Sequence, residues 1–254
     1  MGKGGASRGR PGKKGRDASA RRPLKPGARP AAKSPAAKPR PKQTAAASPP
    51  LTEPAPPSGP FRLGAVPGAT PGKWIDAWHE RMPGVGFELI SVAAADQRRA
   101  LVDGEVDAAV VRLPLQGDGF HVIALYDEVP VVVTAAESHL TAADELSLAD
   151  LAGEILIVPA DDVLGIRVPG TVAPAFAPPA DTGEAIATVA AGVGIVVVPM
   201  SLARLHRRKD VDYRPLRDGP PSRVALAWLA DRTTTSVETF VGIVRGRTEN
   251  SSRG

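Results

Sequence analysis

Residues 61–248 predict an α/β domain, and three observations carry that expectation. Short runs rich in Val, Ile, Leu and Ala alternate with segments whose apolar residues recur at helical spacing. Over residues 61–114 the order is strand, helix, strand, helix, strand, the pattern of a parallel sheet covered by helices. The composition also changes abruptly near residue 61, so the 188 residues that follow must hold the core.

Each element follows in chain order. FRLGAVPG (61–68) reads as a strand and ATPGKWIDAWHERMP (69–83) as a helix, with Thr70 suited to the N-cap and Pro71 to the first helical position. In that helix Trp74, Ile75, Trp78 and Met82 recur at helical spacing, and Pro83 ends the run. FELISVA (87–93) alternates like a strand, ADQRRALVDGEV (95–106) reads as a helix and DAAVVRLP (107–114) as a buried strand. FHVIALYDEVPVVVTA (120–135) gives two strands around Pro130, SLADLA (147–152) a short helix and EILIVPA (154–160) a further strand. The proline-rich passage 163–180 reads as loop. DTGEAIATVAAGVGIVVVP (181–199) is a helix, capped by Asp181 or Thr182, running into a strand. SLARLHRRK (201–209) is a short helix, VDYRPL and VALAWLA are strands, and SVETFVGIVRGR (236–247) is a closing amphipathic helix.

Residues 1–60 are unlike the rest. They hold 14 Lys and Arg against Asp17 and Glu53, a net charge of +12, while the remainder carries 18 basic and 25 acidic residues, a net of −7. This segment has no aromatic residue, no Val and no Ile. It cannot bury enough apolar surface to offset its ordering entropy and is expected to be a disordered basic tail, as is the short C-terminus 249–254. No apolar run reaches the ~20 residues of a membrane span, and no apolar stretch follows the basic N-terminus as in a secretory signal. The sequence has no cysteine, which excludes disulfides, thiolate metal sites and cysteine nucleophiles. A cytoplasmic protein is the simplest reading, with no membrane partner.

The chemistry-bearing motifs are few. GATPGKW (68–74) fails as a phosphate loop, because Pro67 stands where its first glycine belongs and Trp74 where Ser or Thr must bind magnesium. The four histidines, His79, His121, His139 and His206, lack metal-ligand spacing, and no G-x-S-x-G elbow occurs. No enzyme, cofactor or metal is expected. In the tail, Arg8-Gly9-Arg10-Pro11, followed by Lys13, Lys14 and Arg16, looks like the core of an AT-hook. An extended Arg-Gly-Arg can lay two guanidinium groups along a narrow A/T-rich minor groove. AAKSPAAKPRPK (31–42) resembles linker-histone tails, whose spaced charges neutralise phosphates. A solubilising linker of the same composition is the alternative.

From LVDGEVDAAVVRLP (101–114), EVPVVV (128–133), SLADLAGEILIV (147–158), DTGEAIATVAAGVGIVVVPMSLAR (181–204) and VALAWLADRTTTSVETFVGIVR (224–245), the chain resembles the effector-binding domain of LysR-type transcriptional regulators. The resemblance implies a two-lobed, type-2 periplasmic-binding-protein-like fold. Lobe one would span about 61–132 and 222–248, lobe two about 133–221, with a small-molecule cleft between them. It further implies a homodimer, which the two tryptophans of helix 69–83 would help to form, and a small organic, anionic effector. Thr70 and Thr182 would offer helix N-termini to that ligand, each being otherwise a plain cap. Gln97 would complete a polar ring or be an ordinary exposed helical residue. Arg112, with Pro114 beside it, would lie at the end of a strand, where ligands of open sheets bind, or be a solvated or Asp-paired arginine. Gly192, Val193 and Gly194 would line the second lobe's side of the cleft, or the glycines would merely end a helix and let it pack. Two departures stand out: the basic tail occupies the place of the family's winged helix-turn-helix, and the passage 163–180 replaces a helix of the second lobe. A stand-alone sensor of a protein partner, without DNA binding, is the competing reading, and a transport solute-binding protein is a third.

Overall fold

A computed structural model describes residues 59–246. The AT-hook-like motif, the rest of the tail up to residue 58 and the C-terminus 249–254 lie outside the described residues. The first lobe is built on a sheet of order β2-β1-β3-β8-β4. β1 (Phe61–Ala65) pairs in parallel with β2 (Phe87–Ser91) and β3 (Ala108–Arg112), while β8 (Ser222–Leu229) is antiparallel to β3 and to β4 (Phe120–Glu128). The expected parallel sheet is therefore parallel over three strands and antiparallel over the rest.

The two faces of this sheet explain its sequence. Every residue of β3 is buried, because alternate side chains enter different cores. Ala108 and Val110 join Phe61, Leu63, Trp78 and Phe240 beneath α1 (Gly72–Arg81) and α5 (Thr235–Val244). Ala109 and Val111 join Ala100, Leu101, Ala225 and Ala227 beneath α2 (Gln97–Val102). Trp78 is fully buried, stacks on Phe61 at 4.6 Å between centroids and donates its indole N–H to the Val85 carbonyl at 3.2 Å. Trp74 packs against the same core. Trp78 is thus spent inside lobe one, while Trp74 keeps part of its surface exposed.

The second lobe holds an antiparallel sheet of order β6-β5-β7, formed by β6 (Val196–Pro199), β5 (Pro130–Ala135) and β7 (Val211–Pro215). Val131, Val133, Val196 and Val198 pack against Ile186 and Val189 of α3 (Thr182–Ala190) and Leu202 of α4 (Met200–Leu205). The opposite face, with Val132 and Val197, packs on Leu140, Leu151, Ile195 and Leu216. The chain crosses between sheets twice, at Val129 between β4 and β5 and over residues 216–221 between β7 and β8. Sheet membership puts Val131 and Val132 in the second lobe rather than the first.

Two local expectations are corrected. Residues 154–160 form no strand: the segment makes single bridges, Ile155 to Val172 and Leu156 to Ile195. Pairing with the edge strand β6 stops at its first neighbour, Ile195, which donates to the Ile155 carbonyl and accepts from the Ile157 N–H, both at 2.8 Å. Thr70 is not an N-cap either. Pro71 takes that position, its carbonyl accepting from the Trp74 and Ile75 N–H groups, and Thr70 is left exposed ahead of the helix.

Candidate functional site

A cavity of about 550 Å³ opens where the two lobes face each other. Its first wall comes from the C-terminal ends of the parallel strands: Ala65 and the loop 66–69 after β1, Leu89, Ser91 and Ala93 at the end of β2, and Arg112 at the end of β3. That is where open α/β sheets bind ligands, since helix N-termini and loops converge there. Its second wall comes from Asp161, Val163, Asp181, Leu202, Leu205 and His206. Most of the lining is aliphatic, with polar groups at a few points, the usual make-up of a small-molecule pocket.

Arg112 is the junction of the two lobes. Its side chain is almost fully buried, as is that of Glu128, and Nη1 donates to Glu128 Oε2 at 2.6 Å and to Ser222 Oγ at 2.6 Å. Nη2 donates to Ser201 Oγ at 3.0 Å and to the Pro67 carbonyl at 3.2 Å, and Ser201 Oγ in turn donates to Glu128 Oε2 at 3.0 Å. One guanidinium therefore ties β3, the β1–α1 loop, both crossing strands and the start of α4 together. Gln97 serves the same residue. It is buried, its Nε2 donating to the Arg112 carbonyl at 2.8 Å and its Oε1 accepting the Arg112 N–H at 2.9 Å. Gln97 is neither exposed nor in the lining of the interlobe cavity; its amide fixes the end of β3.

Thr182 is also buried. It opens α3, and its Oγ1 donates to Asp161 Oδ1 at 2.9 Å. The cap is Asp181, whose Oδ1 accepts the Glu184 N–H at 2.8 Å. At this helix end the cavity meets the carboxylates of Asp161 and Asp181, the second of which takes the Glu184 N–H. His206 lies over the same turn, since a Cβ on Gly183 would stand 3.0 Å from His206 Nδ1 and 3.1 Å from Asp181 Oδ1.

Five expected site residues fall elsewhere. Thr70 borders a neighbouring cavity of about 610 Å³ with Tyr126, Asp127 and Arg204. Burial first, and the Glu128 carboxylate second, push the Tyr126 phenol up from its ordinary range. Pro114 follows a cis peptide bond, is exposed and is not in the lining of the interlobe cavity. Gly192 and Gly194 lie beyond the far end of α3, Gly192 at φ 84° with open space where a Cβ would be and Gly194 at φ 61°. A Cβ on Gly194 would stand 2.2 Å from the Ile155 carbonyl oxygen, so the close approach is to backbone of this chain. Val193 borders an apolar surface groove with Phe176 and Pro178.

The glycine that does serve the cleft is Gly68. At φ 87°, its missing Cβ makes room for Ser201 of the other lobe, whose Oγ would otherwise be 2.4 Å away. Sequence reading also missed Ser91, Glu128, Asp161, Ser201 and His206. Ser91 and Glu128 stand at strand ends, which was the available signal; the others depend on tertiary packing.

Two α/β lobes joined by two crossings, with a cavity at the strand ends between them, define a bilobal ligand-binding domain. A model of the LysR substrate binding domain matches residues 54–249, and the chain belongs to that family. The transcriptional regulator BudR of Raoultella terrigena is 26% identical over 175 residues, 65% of this chain and 60% of BudR. CatR of Pseudomonas putida is 31% identical over 51% of this chain and 47% of its own. The chain thus spans about half to three-fifths of the length of these two relatives. Among solved structures, the BenM effector binding domain with its effector benzoate superposes with a TM-score of 0.62 at 22% identity, covering 74% of this chain and 91% of that one. Oxidised OxyR gives 0.59 at 22% identity, covering 76% and 98%. These likenesses show a shared fold. The family is a binding domain and the relatives are regulators, not enzymes.

Proposed function

We propose that the chain is the sensing part of a cytoplasmic transcription regulator, in which a small organic effector enters the interlobe cavity and the basic tail contacts DNA. The observation that carries the sensing role is the placement of the cavity: the ends of three parallel strands form one wall and a second lobe forms the other. An effector touching both walls would bind one lobe geometry better than another, and differential binding is what a switch requires. Arg112, bonded to both crossing strands, stands where a change in lobe angle would be felt first.

The tail reading rests on charge. Residues 1–60 carry +12 and the remainder −7, so a duplex would be attracted by the first and repelled by the second. Arg8, Gly9, Arg10 and Pro11 would enter an A/T-rich minor groove, with Lys13, Lys14 and Arg16 on adjacent phosphates. The family resemblance supports a homodimer, to which the partly exposed Trp74 of α1 could contribute while the buried Trp78 could not. Residues 61–254 on their own would repel DNA, and that keeps the second reading, a sensor acting on a protein partner, in view. DNA binding by the full chain and by residues 61–254, on A/T-rich and G/C-rich duplexes at two salt concentrations, separates the two. The full chain is expected to bind and the shortened one not to; a full chain that ignores DNA at low salt leaves the partner sensor.

A further inference from the structure

The charge of the interlobe cavity that has no ion-pair partner is of one sign. Asp161 and Asp181 both line it, and each has one oxygen engaged, by Thr182 Oγ1 and by the Glu184 N–H respectively. The lining includes no lysine, and its arginine, Arg112, is already matched by the buried Glu128 and bonded to four oxygen atoms. The N-terminus of α3, which would otherwise attract an anion, is capped by the Asp181 carboxylate. A carboxylate entering from the first lobe would meet two fixed negative charges on the second wall and no unpaired guanidinium. The rest of the lining is aliphatic: Val66, Leu89, Val163, Leu202 and Leu205 among others.

Resting on the reading that this cavity is the effector site, we propose that it selects an organic cation, an amine with an apolar body, in place of the small anion expected from the sequence. The ammonium would lie against the unengaged oxygens of Asp161 and Asp181, as charge-assisted donors do, and the apolar body would lie on the aliphatic wall. His206, beside the first turn of α3, closes the polar end.

The test uses the full chain and matched pairs of probes: benzylamine with benzoate, and cyclohexylamine with cyclohexanecarboxylate, titrated up to about 10 mM by calorimetry and thermal shift. Two variants accompany it. Asp161→Asn keeps an acceptor for Thr182 and removes one charge; Ala93→Trp fills the cavity from an exposed position. The amines are expected to bind at least tenfold tighter than their carboxylate partners. Asp161→Asn should weaken them about ten- to a hundredfold, the worth of a charge-assisted contact, and Ala93→Trp should abolish binding. Carboxylates binding better than amines, with that binding lost in Ala93→Trp, would overturn the cation assignment and leave the cavity as the effector site. Amine binding that survives Ala93→Trp would overturn the site itself. Failure of both amines to bind overturns the proposal.

Discussion

Arg112 shows how one side chain can couple two lobes and why its loss should be severe. A buried ion pair is a weak source of net stability, but breaking it by removing one partner strands a charge in the interior, at about 3–5 kcal/mol. Arg112→Met should therefore destabilise the chain by roughly that amount in urea unfolding, while Arg112→Met combined with Glu128→Leu should recover most of the loss. Thr70 and Thr182, paired in the sequence reading, should part company. Thr182→Val removes a buried hydroxyl and leaves Asp161 short of a donor, costing about 1–3 kcal/mol in the same assay. Thr70→Val changes an exposed residue outside the interlobe cavity and should stay within about 0.5 kcal/mol, with no change in binding there. At this scale the sequence was partly legible. The strand-end rule placed Arg112 at the cavity, but its pairing with Glu128 depends on β3, β4 and β8 lying side by side, which no local pattern encodes.

At the level of elements, the turn from α3 into β6 separates two demands that glycine can meet. Gly192 needs only a positive φ, so Gly192→Ala should cost about 1 kcal/mol. Gly194 needs both a positive φ and room for the Ile155 carbonyl, so Gly194→Ala must shift the backbone and should cost well beyond that, on the order of 3 kcal/mol or more. If the two cost the same in urea unfolding, the packing account of this turn is wrong. The short 3-10 turn Leu148–Leu151 makes a pH-dependent contribution. Asp150 accepts from both the Oγ–H and the N–H of Ser147, and these bonds hold its carboxyl below the ordinary range. Its stabilising share is complete above the unfolded carboxyl value near about 4 and is lost as pH falls through the lower folded value. The stability difference between the native chain and Asp150→Asn should shrink in that acid range. Helices and buried strands were legible from their periodicity, as β3 and α5 show. Residues 154–160 were not, because an apolar run reads the same whether its neighbours offer a ladder or a single bridge.

For the whole molecule, the two lobes, their interrupted first sheet and the crossings near residues 129 and 216–221 follow from the order of elements, read through the family resemblance. The charge of the cleft did not follow: Asp161 and Asp181 are twenty residues apart and meet only because the loop 163–180 returns the chain to the same wall. If the tail engages about half of its charges on DNA, log affinity should fall with log salt at a slope of roughly −5 or steeper. Replacing Arg8 and Arg10 by Lys should erase an A/T preference while lowering overall affinity only slightly. The central claim is that one ligand bridges both lobes, and amide hydrogen exchange on the full chain, with and without the tightest binder from the amine and carboxylate probes, tests it most directly. Protection is expected together at Val66–Ala69 in the first lobe and at Thr182–Glu184 and Leu202–His206 in the second. Protection confined to one lobe, or falling instead on Gly192–Gly194, would contradict the account.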